Sequence, residues 1–161
     1  MPVANLDEII VDSVHEVFET LIYILPEEQE VQESEQYEFS GEVIASIQIA
    51  GDMNGIVAVV CSQAIAAQLT RNMLGTDEVP EDRAEIADCA GEIVNMIAGN
   101  IKTRCIKAGV TFYLSIPTVT YGKDMVLSLH EEVHGLKVPF VVEGEEMYVA
   151  FLYKDEPGIQ V

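Results

Sequence analysis

Along this chain the spacing of hydrophobic residues changes period three times, and each change marks a new kind of element. Between Leu6 and Leu25, the residues Leu6, Ile9, Ile10, Val14, Val17, Phe18, Leu21 and Ile22 recur at three- and four-residue intervals, which predicts an amphipathic helix. Pro26, lacking an amide hydrogen, is expected to end it. Glu27 to Gln36 is nearly all Glu and Gln and reads as a solvated loop. From Tyr37 to Ala50 the period falls to two. Tyr37, Phe39, Gly41, Val43, Ala45, Ile47 and Ile49 alternate with Glu38, Ser40, Glu42, Ser46 and Gln48, predicting a strand with one buried face and one wet face. The turn residues Gly51-Asp52-Met53-Asn54-Gly55 and the run Ile56–Cys61 complete a hairpin.

Helical spacing then returns. Ser62 can cap a helix running to Leu74, with Gly75 as its stop. Pro80-Glu81-Asp82 opens the longest helix of the chain, which continues to about Lys107 and carries acids in its first turn, as the helix dipole favours. After Gly109 the period is two again, through Phe112–Ile116, Val119 and Tyr121, Met125 to about Glu132, Val138–Val142 and Met147–Tyr153. Helix, hairpin, two helices and a run of neighbouring strands describe an α+β fold, an antiparallel-rich β-sheet with long helices packed on it. At 161 residues and 49% apolar, residues 1 to 161 fit one domain with a sizeable core.

Charge narrows the partners. With 28 Asp and Glu against 8 Lys and Arg, the net charge is −20. Nucleic acid, which needs a basic footprint, is excluded as an expected partner, as are anionic membrane surfaces. No run approaches the length of a membrane span, and the N-terminus lacks the basic and apolar regions of a signal peptide. The three cysteines, Cys61, Cys89 and Cys105, show no paired spacing and read as buried, reduced thiols of a cytoplasmic protein.

The long helix separates into two faces at 100° per residue. Ile86, Ala90, Ile93, Ile97 and Ile101 form the inward arc, and Asp88, Glu92 and Asn95 share the opposite arc with Gly99 beside them. Side chains at such spacings stand next to each other and can act on one target. A helix surface has no use for Gly91 and Gly99, each costing about 1 kcal/mol against Ala, unless something approaches that face closely. The face holds no strong nucleophile. It does hold a carboxamide, which can donate and accept and so can aim a water, beside a carboxylate that can anchor a cation. That set suits in-line attack on a phosphoryl group, where catalysis is mostly positioning. On spacing alone the same residues also describe an ordinary solvated face.

Two competitors have clear signals against them. His130-Glu131-Glu132-Val133-His134 matches the zinc-peptidase pattern, in which His130 and His134 bind the metal and Glu131 is the base. The preceding Val-Leu-Ser-Leu reads as strand, which would part the imidazoles, and Gly135 stops a helix at once. No metal ligand set is therefore assigned. The Gly51–Gly55 loop lacks the Lys and following helix of a phosphate-cradling loop.

Asp88-x3-Glu92-x2-Asn95, followed later by Pro117, resembles the signature of the CheC/CheX family of chemotaxis phosphatases, as do the surrounding Gly-Glu-Ile-Val-Asn-Met-Ile-Ala-Gly-Asn and Leu-Ser-Ile-Pro-Thr-Val-Thr. The resemblance implies an enzyme that dephosphorylates a CheY-type response regulator. Glu92 would pair with the regulator's active-site lysine and Asn95 would orient the attacking water. Asp88 would take a supporting part, and Gly91 and Gly99 would let the regulator come close. The regulator would supply both the phosphorylated Asp and a Mg2+ ion, so no cofactor of this chain's own is expected. The first helix carries Asp12-x3-Glu16-x2-Glu19 at the same spacing, with Glu19 where the signature has Asn. A carboxylate only accepts hydrogen bonds and repels a phosphoryl group, so this copy is expected to be dead. One intact site is the CheX arrangement, which further implies a homodimer joined partly by strand pairing. A non-catalytic module of the same fold, docking to a regulator or adaptor, is the alternative.

Overall fold

The computed structural model describes residues 3–33, 38–128 and 133–154. In chain order it contains α1 (Leu6–Val17), a π-helical turn over Phe18–Ile22, β1 (Glu27–Glu28), β2 (Gln32–Glu33), β3 (Glu38–Gly51), β4 (Asn54–Cys61), α2 (Gln63–Leu74), α3 (Arg83–Lys107), β5 (Phe112–Leu114), β6 (Thr118–Ser128), β7 (His134–Val142) and β8 (Glu145–Lys154). The strands form one eight-stranded sheet in the order β1-β7-β8-β4-β3-β5, with β2 also on β7 and β6 also on β3. Every pairing is antiparallel. This is the α+β arrangement that the changes of period predict.

The three helices lie on one face of the sheet. Leu6, Ile10 and Val14 of α1, Ile65 and Leu69 of α2, and Ile86, Ile93, Ile97 and Ile101 of α3 join Val43, Ala45 and Ile47 of β3 and Val57 and Val59 of β4 in one buried cluster. Caps fix where the helices begin and end. Ser62 Oγ accepts from the amide of Ile65 at 3.1 Å, and Asp82 Oδ1 accepts from that of Ala84 at 2.9 Å. Gly75, at φ 67°, closes α2 in the left-handed region where a side chain would be strained. No helix among the described residues is long and apolar enough to cross a membrane.

The structure departs from the expected pattern in four places. The outer face of the hairpin is not wet: Phe39, Ile44, Ala58, Val60, Ala150 and Leu152 are buried in a second, smaller cluster. A register shift between Gly41 and Val43 puts Phe39 on the same side as Ile44, so alternation across it misassigns Phe39. The unbroken apolar run Ile56–Cys61 fits a strand covered on both faces. Second, the acidic loop after Pro26 contains β1 and β2, whose exposed residues pair with β7. Backbone pairing needs no apolar side chain, and such short polar strands blunt a sheet edge.

Third, the first helix stops at Ile22 rather than Leu25. Its last turn widens to π geometry, Tyr23 takes φ 58°, and the Tyr23 amide returns to the carbonyl of Phe18 at 2.7 Å. The Asn72 side chain of α2 donates to the carbonyl of Ile22 at 2.9 Å, so a neighbouring helix caps the end that Pro26 was expected to make. Fourth, the segments around Val119 and Met125 form one strand, β6, up to Ser128. The rest of the expected strand, residues 129 to 132, lies outside the described residues.

Candidate functional site

Helix α3 runs 25 residues across the face of the sheet with Ile86, Ile93, Ile97 and Ile101 buried. Burial of that stripe sets the helix's rotation and leaves Asp88, Glu92 and Asn95 exposed together on the outside. From Asp88 to Asn95 the face spans about 10 Å of helix axis. Among the described residues, none makes a hydrogen bond or ion pair with Asp88, Glu92 or Asn95. Their polar atoms are directed to solvent and have no duty in the fold.

Gly91 is not on that face, contrary to expectation. It is buried, and a Cβ there would lie 3.4 Å from Val119 Cγ2 and 3.5 Å from Pro117 Cγ. These are ordinary van der Waals distances, so the space beside Gly91 is filled by the chain's own Pro117 and Val119 rather than left for a partner. On the wheel Gly91 stands about 60° from Asp88, enough to turn it from solvent toward the sheet edge. Pro117 is thereby placed on the flank of the site, itself exposed, with its ring against the middle of α3. Ile116 beside it is 85% exposed. Gly99 is on the outer face as expected: a Cβ there would meet nothing within 4 Å.

One turn beyond Asn95, an open groove of about 420 Å³ lies between α3 and α1. It is lined by Glu16, Met96, Gly99, Asn100, Thr103, Arg104 and Lys107. Arg104 bridges it, its Nη2 2.9 Å from Glu16 Oε2. Thus the second member of the Asp12-x3-Glu16-x2-Glu19 echo is tied to α3, and Glu19 already belongs to the widened π turn. Neither feature was legible from spacing, because Arg104 is remote in sequence and the π turn has no composition of its own.

The cysteines offer no nucleophile. All three are free and buried. Burial pushes the Cys61 thiol up to about 12, with Glu42 and Glu145 adding to it, and pushes that of Cys105 up to about 11. Cys89, on the inner flank of α3, is raised chiefly by burial, with Glu85, Asp88 and Glu92 contributing. All three therefore remain protonated thiols near neutral pH. His134 opens β7, pairs with Tyr153 and packs its ring 5.6 Å from that of Tyr153. His130, the other half of the zinc pattern, lies outside the described residues. Among the described residues no three His, Cys, Asp or Glu side chains gather as a metal-ligand set.

The chemistry available on α3 is thus a carboxylate and a carboxamide, exposed and unengaged, on a rigid helix braced by Pro117. It can position a water and hold a cation, and it offers no Ser, Cys or Lys nucleophile.

Known structures share this architecture. A chemotaxis protein CheX from Desulfovibrio desulfuricans superposes with a TM-score of 0.85 at 25% identity, over 92% of this chain and 99% of its own. CheX from Vibrio vulnificus gives 0.84 at 23% identity, over 94% and 100%. The CheX–CheY–BeF3–Mg2+ complex from Borrelia burgdorferi gives 0.74 at 20% identity, over 93% and 98%. No curated protein sequence matches significantly. The family model described as "Chemotaxis phosphatase CheX" matches residues 43–141, a stretch that includes Asp88, Glu92, Asn95 and Pro117. By that match the chain belongs to the CheX family of chemotaxis phosphatases.

Proposed function

We propose that this protein hydrolyses the aspartyl-phosphate of a CheY-type response regulator, with Asn95 orienting the water and Glu92 pairing with a regulator lysine. The observation that carries the reading is the exposed Asp88–Glu92–Asn95 face, whose polar groups the fold itself leaves unused. Membership of a chemotaxis phosphatase family supports the reaction class, and the Borrelia burgdorferi complex supports the kind of partner.

The chemistry asks little of this chain. An aspartyl-phosphate is a mixed anhydride whose leaving group is a carboxylate with a pKa of about 3.9, so no general acid is needed. The Asn95 carboxamide holds the water in line, its oxygen accepting a hydrogen bond from the water so that a water lone pair is directed at phosphorus. The new O–P bond forms as the bond to the aspartate oxygen breaks, and the water's protons pass to the phosphate product and solvent. Glu92, paired with the lysine, fixes the distance between helix and phosphoryl group, and Asp88 supports it from the preceding turn. The regulator brings its own magnesium ion, which neutralises charge on the phosphoryl oxygens.

The chain also acts as a homodimer in this reading. Among the described residues β6 pairs with β3 alone, leaving its other edge available to a second β6. The protein works in the cytoplasm beside its regulator.

The test is to mix the protein with phosphorylated receiver domains and follow phosphate release. Asn95→Ala should remove the acceleration, by on the order of 10²-fold or more, while secondary structure and oligomeric state stay unchanged. Equal rates for the variant and the parent would end the assignment. A complex that forms without any acceleration by the parent protein would establish the second reading, a non-catalytic docking module.

A further inference from the structure

The groove between α1 and α3 lies on the docking helix but plays no part in the chemistry above. In a chain of net charge −20 with only eight Lys and Arg residues, three of the eight, Lys102, Arg104 and Lys107, fall in the last two turns of α3. Basic residues at a helix C-terminus complement the dipole, and that alone would account for their presence. It does not account for the groove they border. Lys102 is held 5.7 Å from the centre of the Tyr113 ring, and Arg104 is bound to Glu16. Lys107 is exposed at the groove and has no hydrogen-bond, ion-pair or ring partner among the described residues.

Gly99 at the groove's near end is a second sign. A glycine in mid-helix is unfavourable, and no neighbour here would obstruct a Cβ, so packing within the chain gives no reason for it. Open space above a helical backbone, one turn from Asn95, suits a segment that arrives from outside. The charge along α3 also has a direction. Within α3, Glu85, Asp88 and Glu92 precede Asn95, with the one base on that side, Arg83, held over the Tyr121 ring, and the other three bases follow it. A partner laid along the helix one way meets complementary charge at both ends, and the reverse orientation meets repulsion at both.

Resting on the reading of α3 as a regulator's docking helix, we infer that the groove of Gly99, Thr103, Arg104 and Lys107 receives an Asp- or Glu-bearing segment of the regulator's surface. Lys107 supplies the free cation. Arg104 is shared between Glu16 and the incoming carboxylate, and Gly99 leaves room for the segment to lie against the helix. The groove sets which way round the regulator docks, and so brings its phosphoryl group to Asn95 in one orientation.

The experiment titrates full-length protein with a receiver domain held in its phosphorylated form by beryllofluoride and magnesium, at two salt concentrations, with turnover measured in parallel on the phosphorylated receiver. Lys107→Glu is expected to raise Kd about 5- to 10-fold at low salt and to flatten its dependence on ionic strength. Gly99→Leu is expected to raise Kd by a similar factor at both salts. Reversing a single acid on the receiver face opposite Lys107 should restore affinity for Lys107→Glu and not for Gly99→Leu. Thermal melting confirms that both variants fold. Turnover by the parent protein with an unchanged Kd for both variants overturns the groove and leaves the phosphatase reading standing. Salt-dependent binding lost on Lys107→Glu, with no turnover by the parent, does the reverse. Absence of any complex overturns both.

Discussion

Helices α1 and α3 lie side by side on the same face of the sheet and carry the same acid spacing, yet their outer faces have opposite fates. On α3, Asp88, Glu92 and Asn95 are exposed and bound to nothing in the fold. On α1, Glu16 is bound by Arg104, Glu19 sits in a π turn, and that turn is closed by Tyr23 and capped from α2 by Asn72. The α3 face is left free throughout, whereas on α1 Glu16 is tied to the neighbouring helix while Asp12 and Glu19 stay exposed. At the same spacing the two faces therefore differ in two respects, the tie of Glu16 to Arg104 and the residue at the third position, Glu19 on α1 against Asn95 on α3.

The largest expected effect breaks this comparison most directly. Installing the missing amide by Glu19→Asn in an Asn95→Ala background should leave dephosphorylation as slow as Asn95→Ala alone, about 10²-fold or more below the parent. Recovery of phosphate release would show that the two faces differ only in one residue. The next effect concerns the flank of α3. Gly91→Leu would drive a side chain into Pro117 and Val119, lowering stability by about 1–3 kcal/mol in chemical denaturation. An unaffected midpoint would mean the β5–β6 connection yields freely and does not brace the site.

Gly99→Ala sharpens the contrast between the two glycines. With nothing within 4 Å of the new methyl group, it should stabilise the protein by about 1 kcal/mol, visible as a higher melting temperature. The smallest effect belongs to the α1 side. Glu16→Ala removes a partly exposed ion pair and should cost no more than about 1 kcal/mol, measured in a double-mutant cycle with Arg104→Ala. A coupling well above that would mean the bridge organises the groove rather than decorating it.

How far the sequence carries this picture differs from element to element. The inward isoleucines of α3 and the outward Asp88, Glu92 and Asn95 follow from period alone, because a long amphipathic helix on a sheet has one way to bury its stripe. The same holds for the caps at Ser62 and Asp82, where the residue types state their role. Three features needed the tertiary structure. Alternation in β3 could not show the register shift after Gly41, although Ile44, apolar where a polar residue was due, was its trace. The edge strands of the acidic segment use backbone groups that every residue has. Gly91 was placed with the outer face because the wheel treats 60° as adjacent, whereas here 60° separates solvent from Pro117.

The seating of Pro117 beside Gly91 has a mechanical meaning for the proposed chemistry. Side-chain tips on α3 stand about 6 Å from its axis, so a roll of 10° carries the Asn95 amide through about 1 Å. A displacement of that size can cost on the order of 10²-fold in rate when the task is to aim a water. The proline ring seated at mid-helix, about one turn from both Asp88 and Asn95, would oppose that rotation. Substitutions at residue 117 would then change the aim of the amide while the buried stripe, and with it the fold, stays where it is.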